Sequence, residues 1–207
     1  MASNRSAGKD SFEYLDEDSL FRLVNSISKD RDRLVIKVLY ELGCTIKELV
    51  NIRIRDIDFV DEIITVRRFN SRNRMDRVAR ISGETAGKLK NYLSSTGLLD
   101  KKLSYLFQTS RGTHLTTRRI FQIVGLYCRL AKVSKNPSPQ LIKYTHIVHA
   151  YLNDVPISDI QNQVGITKQR LAQIFENIKV DKATDTYNKF FRKLELKRKK
   201  FINPKSK

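Results

Sequence analysis

Closely spaced arginines are the residues of this chain whose type and spacing could do chemistry. Arg67 and Arg68 are adjacent, and Arg72, Arg74 and Arg77 follow within the same short stretch. A guanidinium group binds phosphate oxygens through charge and paired hydrogen bonds. These arginines therefore predict a surface that contacts nucleic-acid phosphates without reading the base sequence.

Other basic residues extend this prediction along the chain. The chain has 40 lysines and arginines against 22 aspartates and glutamates. The net charge of +18 and the isoelectric point near 10.0 attract polyanions, so nucleic acid is the expected partner. The alternative is a basic surface that merely keeps the protein in solution or belongs to a ribosome-like assembly.

Metal and membrane chemistry are not expected. His146 and His149 could in principle share a metal ion, but no carboxylate or cysteine follows them at helical spacing. Cys44 and Cys128 lie in apolar stretches and predict buried free thiols. Residues 1–12 contain no apolar signal segment, and the chain has no run of about eighteen apolar residues. We expect a cytoplasmic protein with no metal, no cofactor and no membrane contact.

The closely spaced arginines would sit on a β-hairpin. Residues 63–67 and 77–81 have strand-like composition, and the polar stretch 70–74 separates them. This pattern predicts two strands and a basic tip. Upstream, Thr45 and Glu48 have the spacing of a capping box, which predicts that a helix begins there.

Helical patterns cover most of the remaining chain. An apolar stripe at helical spacing predicts a helix that ends near Gly43. Thr116 or Thr117 would cap a long helix, and two prolines precede the helix that holds Lys143. The predicted fold class is therefore mainly α with a small antiparallel β-sheet.

The composition predicts three segments. Residues 1–14 form a flexible arm, residues 15–180 form one domain, and residues 181–207 form a carboxy-terminal helix with a basic tail. The last helix carries an apolar stripe made of Tyr187, Phe190, Phe191 and Leu194. We predict that this stripe links copies of the chain into a homo-oligomer on DNA, with packing in cis as the alternative.

Five stretches, in order, resemble the catalytic domain of tyrosine recombinases (phage integrases) of the Xer type. Residues 139–145 read P-Q-L-I-K-Y-T and resemble P-H-x-L-R-H-T, while residues 164–166 stand where the family has L-G-H. Phe175, nine residues after Ile166, stands at the position of the family tyrosine. Residues 43–49 resemble G-L-R-x-S-E-L, and residues 56–58 match D-I-D. The resemblance implies the same helical fold with a small sheet. It also implies a DNA-binding face, on which we predict contacts from ten basic residues: Arg67, Arg68, Arg72, Arg74, Arg77, Arg118, Arg119, Lys143, Lys168 and Arg170.

The resemblance also implies a site for phosphoryl transfer. In the family, a tyrosine attacks the DNA phosphodiester, arginines and a histidine hold the phosphate, and a lysine protonates the leaving oxygen. The positions that correspond to these groups hold Thr45, Met75, Gln140, Lys143, Ile166 and Phe175. Only Lys143 keeps a positive charge, and Phe175 has no hydroxyl. We therefore predict no catalytic residues and a protein that is not an enzyme, with an architectural or regulatory role on duplex DNA in the nucleoid.

Two alternatives stay open. The chain could be a divergent, active site-specific recombinase whose active site is completed in trans, or it could bind RNA or a ribonucleoprotein through the same basic face. Family members also carry an upstream core-binding domain, for which the residues before Leu15 are too few. We expect DNA binding to be weaker and more sensitive to salt for that reason.

Overall fold

The computed structural model describes residues 13–67, 76–134 and 136–176 of the 207-residue chain. The chain divides into two compact units, Met1–Ile166 and Thr167–Lys207. The described part of the first unit contains helices α1 (Glu17–Asn25), α2 (Asp30–Leu42), α3 (Ile46–Asn51), α4 (Gly83–Ser95), α5 (Thr117–Leu130), α6 (Pro139–Leu152) and α7 (Ile157–Val164). A 3-10 turn, Ile54–Asp56, leads into strands β1 (Ile57–Asp58), β2 (Ile63–Val66) and β3 (Arg77–Arg80).

Helix α2 is the centre of the first unit, because it packs against α1, α3, α4, α5 and α6. Seven of its residues are buried, including Leu39 and Leu42. The helix ends at Gly43 with φ of 51°, a left-handed conformation that glycine adopts without strain. A Cβ atom at Gly43 would lie 2.9 Å from Cγ2 of Val164, so the glycine also lets the end of α7 approach closely.

The sheet is a small antiparallel meander in the order β1-β2-β3. In the hairpin of β2 and β3, Thr65 pairs with Val78 and Val66 pairs with Arg77. Inward-facing Ile64, Val66 and Ala79 are fully buried, which anchors the hairpin on the helices. The outer edge of β3 lies beside α7.

Side-chain caps fix the starts of the helices that carry the basic residues. Thr116, rather than Thr117, caps α5, since its side chain accepts from the backbone N–H of Arg119. Ser138 caps α6 and Pro139 occupies its first turn, where a missing N–H costs nothing. Helix α6 packs along α2, which places Lys143 inside the unit.

Residues 13–16, ahead of α1, are held by α6. The N–H of Leu15 donates to Oγ1 of Thr145 at 3.0 Å, and Nε2 of His149 donates to the carbonyl of Leu15 at 2.8 Å. The Tyr40 hydroxyl, 2.9 Å from Nδ1 of His149, then completes the imidazole's hydrogen bonds as donor. The side chain of Leu15 is also buried, so the entry of the chain into the fold is fixed at one point.

The described part of the second unit is one short helical stretch, residues 168–176. Its start is capped by Thr167, whose hydroxyl accepts from the N–H of Arg170 at 3.3 Å. Leu171, Ile174 and Phe175 are buried, while Lys168 and Arg170 are exposed.

The structure confirms the predicted fold class, the hairpin, and the capping box at Thr45 and Glu48. Within the described ranges, no helix is long and apolar enough to cross a membrane. The predicted flexible arm, up to residue 12, lies outside the described residues, as do Arg68, Arg72, Arg74 and Met75 at the hairpin tip. The predicted oligomerisation stripe of Tyr187, Phe190, Phe191 and Leu194 also lies outside them and stays a prediction.

Candidate functional site

A buried cluster of charges lies where the ends of α2 and α7 meet β3. Arg77 points inward from β3, and its side chain is only 8% exposed. Its Nη1 atom lies 2.9 Å from Oε1 of Glu48, its Nε donates to the Gln163 carbonyl at 2.8 Å, and its Nη2 donates to the Leu42 carbonyl at 3.4 Å. Carbonyls at the carboxy-terminal end of a helix carry partial negative charge. The guanidinium of Arg77 therefore holds two helix ends and a carboxylate together.

Lys143 is the second cation of this cluster. The residue is 6% exposed, and its Nζ donates to the Val164 carbonyl at 3.4 Å. This carbonyl belongs to the last residue of α7, so Lys143 and Arg77 both bind the same helix end. Gln140, three residues earlier on α6, is exposed. A phosphate at Lys143 would have to enter a buried, already occupied site.

Glu48 is the negative group of the cluster. Burial alone would raise the pKa of its carboxyl, but Arg77, the N–H of Thr45 and Lys143 together outweigh burial and leave the pKa below its usual value of 4.5. The neighbouring Cys44 is a buried free thiol whose pKa burial raises to about 12. The carboxylate is therefore the charged form at neutral pH, and the thiol is not.

Thr45 is the amino-terminal cap of α3. Its hydroxyl accepts from the N–H of Glu48 at 3.3 Å, and the Glu48 carboxylate accepts from the N–H of Thr45 at 2.7 Å. Thr45 stands at the predicted position of the first family arginine, and it has a structural role there, because threonine is a common residue type at the start of a capping box.

Replacing Thr45 by alanine should lower the free energy of unfolding by about 1 kcal/mol, because one end of α3 loses its cap. Thr45→Ser keeps the hydroxyl and should stay close to the wild type. Chemical denaturation of the three proteins measures the difference. Equal stability of Thr45→Ala and the wild type would show that the capping box contributes nothing.

Arg67, directly after strand β2, forms ion pairs with acidic side chains. Its Nε and Nη2 atoms donate to Oδ1 of Asp56 at 3.0 and 2.8 Å. The side chain of Asp56 is 1% exposed, whereas that of Arg67 is 40% exposed. Hydrogen bonding to Asp56 raises the pKa of Arg67. Its third nitrogen, Nη1, lies 3.7 Å from Oδ2 of Asp76, so the guanidinium is paired with two carboxylates while part of the side chain still faces solvent.

Arg118 and Arg119 stand in the first turn of α5. Arg118 is exposed, and the half-buried Arg119 donates to Oε1 of Gln122 at 3.4 Å. The amino-terminal end of a helix carries partial positive charge, so it adds to the attraction of these two guanidiniums for an anion. In the second unit, Lys168 is exposed and Arg170 donates to Oε1 of Gln173 at 3.0 Å.

The structure thus separates the predicted basic residues into two kinds. Arg77 and Lys143 meet in the buried cluster, while Arg118, Lys168 and Arg170 are at the surface of their units. As contacts to nucleic acid, all of them stay predictions. The pairing of Arg77 with Glu48 was not predicted from the sequence, although a glutamate in the first turn of an apolar helix was one signal for it.

The two histidines on α6 have structural surroundings. His149 is buried and hydrogen-bonded as described above. His146 packs edge to face on Tyr40, with ring centroids 5.6 Å apart. Burial, followed by repulsion from His149 and Lys143, lowers the pKa of His146 to about 4. Across the described residues, no cluster of three or more potential metal ligands occurs.

The phage integrase family matches residues 13–182, which is most of the chain. The chain belongs to the phage integrase family. This integrase-family chain is also similar to tyrosine recombinase XerC of Thermodesulfovibrio yellowstonii, with 25% identity over 187 residues that cover 85% of the chain and 61% of the relative. It is 28% identical to XerA of Pyrococcus furiosus over 169 residues, which cover 79% of the chain and 57% of that protein. The chain spans about 60% of the length of the relatives that it matches.

Solved structures agree with this assignment. The crystal structure of XerA recombinase superposes with a TM-score of 0.70 and 27% identity, covering 79% of this integrase-family chain and 60% of XerA. The post-cleavage complex of XerH with its difH substrate superposes with a TM-score of 0.72 at 19% identity, covering 89% of this chain and 56% of XerH. At that identity, the XerH likeness supports the fold alone.

The prediction that this integrase-family chain is not an enzyme is contradicted by its relatives, which are named as tyrosine recombinases. The prediction rested on six positions that were assigned from motif spacing. Neither the structure nor these relatives show that the catalytic positions have been lost. The family assignment itself, made from the same motifs, is confirmed.

Proposed function

We propose that this chain is a recombinase subunit that binds duplex DNA and takes part in site-specific strand exchange, with an active site completed by a partner chain. The observation that carries the proposal is the family match over residues 13–182 in a chain of net charge +18. The recombinase fold supplies the shape, and the positive charge supplies the attraction to the phosphates of DNA.

Duplex DNA is the ligand that the structural neighbours favour. XerH is described in complex with its difH substrate, and the integrase of transposon Tn1549 in complex with circular intermediate DNA. On this chain, the exposed side chain of Arg118 suits phosphate oxygens, and Arg67, although paired with Asp56 and Asp76, keeps 40% of its side chain exposed. A subunit that acts on chromosomal DNA would be found with the nucleoid.

Completion by a partner follows from the side chains at the predicted reacting positions. Phe175 has no oxygen with which to form a phosphate ester, and Thr45 has no charge with which to hold one. A second chain on the same DNA would bring the tyrosine and the missing cations, while this chain positions the duplex. Homo-oligomers of this chain alone would not supply them at these positions.

The test is to isolate the tagged chain, with its bound partners, from the cells that make it, and to look for DNA that stays attached to protein after denaturation. We expect a covalent link between DNA and a tyrosine of a bound partner, mapped by mass spectrometry. Arg118→Ala/Arg119→Ala should reduce the linked DNA, because the DNA-binding surface is weakened. Lys88→Ala/Lys90→Ala removes the same charge from α4 and should have little effect.

Two results would contradict the proposal. A covalent link on the tagged chain itself would show that it carries its own nucleophile. Preferential crosslinking to RNA, together with competition in which structured RNA displaces duplex DNA, would show that the basic surface serves RNA instead.

A further inference from the structure

The side chain of Gln163, near the end of α7, is hydrogen-bonded to the outer edge of β3. Its Oε1 accepts from the N–H of Arg80 at 2.9 Å, and its Nε2 donates to the Arg80 carbonyl at 2.8 Å. The same Nε2 also donates to the carbonyl of Glu41 at 2.9 Å. A primary amide that accepts from one residue's N–H and donates to its C=O imitates the pairing of a neighbouring strand. Gln163 therefore occupies an edge that would otherwise be open.

The backbone of Gln163 is bound to the same strand. Its carbonyl accepts from Nε of Arg77 at 2.8 Å. Arg77 and Arg80 are the first and last residues of β3, so α7 is attached to both ends of the strand through one residue. These three hydrogen bonds, together with the one to Glu41, connect the hairpin to the last turn of α7 and to α2.

The last turn of α7 leads into the carboxy-terminal part of the chain. Gly165 ends the helix in a left-handed conformation with φ of 67°, and its N–H donates to the Gln161 carbonyl at 2.8 Å. The chain continues from this turn through Ile166 to the stretch that contains Phe175. In the sequence, strand β3 follows shortly after the predicted basic tip of the hairpin, residues 70–74.

We infer that Gln163 is a positioning residue that couples the β3 edge to the carboxy-terminal end of α7, so that the hydrogen bonds of the two segments break and re-form together. DNA held at the basic hairpin would then stabilise the Gly165 turn. The second statement rests on the proposed function, whereas the first concerns the free protein only. Coupling of this kind requires that a change at one end alter the opening of the other.

Amide hydrogen exchange of the free protein tests the first statement. In Gln163→Leu, which keeps the volume but loses the amide, the Arg80 N–H should exchange at least about tenfold faster, because it loses its acceptor. The Gly165 N–H should accelerate by a similar factor, to within about threefold, although its own acceptor, the Gln161 carbonyl, is untouched. Faster exchange at Arg80 with an unchanged rate at Gly165 would overturn the inference.

Two further variants keep the test decisive. Gln163→Glu retains an acceptor for the Arg80 N–H but loses the donor to the two carbonyls, so both amides should accelerate by an intermediate factor. Asn162→Ala alters the neighbouring exposed residue on the same helix and should leave both rates within about threefold of the wild type. If Gln163→Leu fails to fold, the comparison of Gln163→Glu with Asn162→Ala decides the result.

Adding a duplex of about 30 base pairs tests the second statement, since that length exceeds the footprint of one domain. Binding is first measured by fluorescence anisotropy. DNA should slow the exchange of the Gly165 N–H in the wild type and leave it unchanged in Gln163→Leu that is saturated with DNA. Absence of binding would count against the proposed function, while the free-protein rates would still decide the role of Gln163. DNA binding that leaves the exchange rate of the Gly165 N–H unchanged in the wild type would refute the statement that bound DNA stabilises the Gly165 turn.

Discussion

Raising the salt concentration from about 50 to about 200 mM should weaken the binding of this chain to duplex DNA by roughly 10³–10⁵. The reason is the release of counterions from about 6–10 neutralised phosphates, which a chain of net charge +18 can contact. Fluorescence anisotropy with a labelled duplex, repeated at several salt concentrations, gives the slope of log K against log salt.

Charge-matched variants locate the contacts. Arg72→Ala/Arg74→Ala should reduce the magnitude of the slope by up to about 2, since each lost phosphate contact contributes about 0.9. Lys88→Ala/Lys90→Ala removes the same charge from the exposed face of α4 and should leave the slope nearly unchanged. Equal slopes for all three proteins would place the DNA-binding surface away from the hairpin.

Replacing Arg77 by methionine should lower the free energy of unfolding by up to about 3–5 kcal/mol, because the largely buried Glu48 carboxylate would lose its ion pair and keep only the favourable interactions with Thr45 and Lys143. The variant also loses the hydrogen bonds to the carbonyls of Gln163 and Leu42. Chemical denaturation at neutral pH measures the loss. Arg80→Met, on the same strand but with an exposed side chain, is the control and should change stability little.

The pH dependence of this loss distinguishes the ion pair from simple packing. Since the pKa of Glu48 is lowered in the folded protein, its stabilising contribution is fully present above the usual pKa of 4.5. That contribution disappears as the pH falls through the lower, folded value. The difference between the wild type and Arg77→Met should therefore shrink as the pH falls below about 4.5. A difference that is independent of pH would mean that the methionine variant is destabilised by packing alone.

The sequence was sufficient to predict features that depend on residues close together along the chain. The capping box at Thr45, the end of α2 at Gly43 and the two strands of the hairpin all require particular residue types within a few positions. The family motifs, taken in order along the chain, were sufficient to predict the fold, because their spacing reflects the order of the same elements in space. These features could be predicted without knowing any long-range contact.

Long-range polar contacts could not be predicted in this way. In β3, alternation of side chains could have placed Val78 inside, but the register buries Arg77 and leaves Val78 56% exposed. The partner that makes this possible, Glu48, lies 29 residues earlier, and Gln163 lies 86 residues later. Nothing in the local pattern of β3 indicates either of them.

The mistaken prediction about enzymatic activity has a similar origin. A motif position states which residue type stands at a given distance along the chain, but not which groups of other chains reach the same phosphate. Residue 175 is a phenylalanine, but its assignment to the position of the family tyrosine stays a prediction. Under the proposed function, activity would belong to an assembly of chains on DNA, so the residue type at one position of one chain is not sufficient to exclude it.

The hydrogen bonds of Leu15 to Thr145 and His149 define a fixed attachment point for whatever precedes it in the chain. The maximum distance between Leu15 and a domain fused ahead of it grows by at most about 3.6 Å for each residue in between. If DNA binds as proposed above, the local concentration of the fused domain near that DNA is set by the number of residues in between. Changing the number of residues between a fused domain and Leu15 would therefore tune how that domain cooperates with this one.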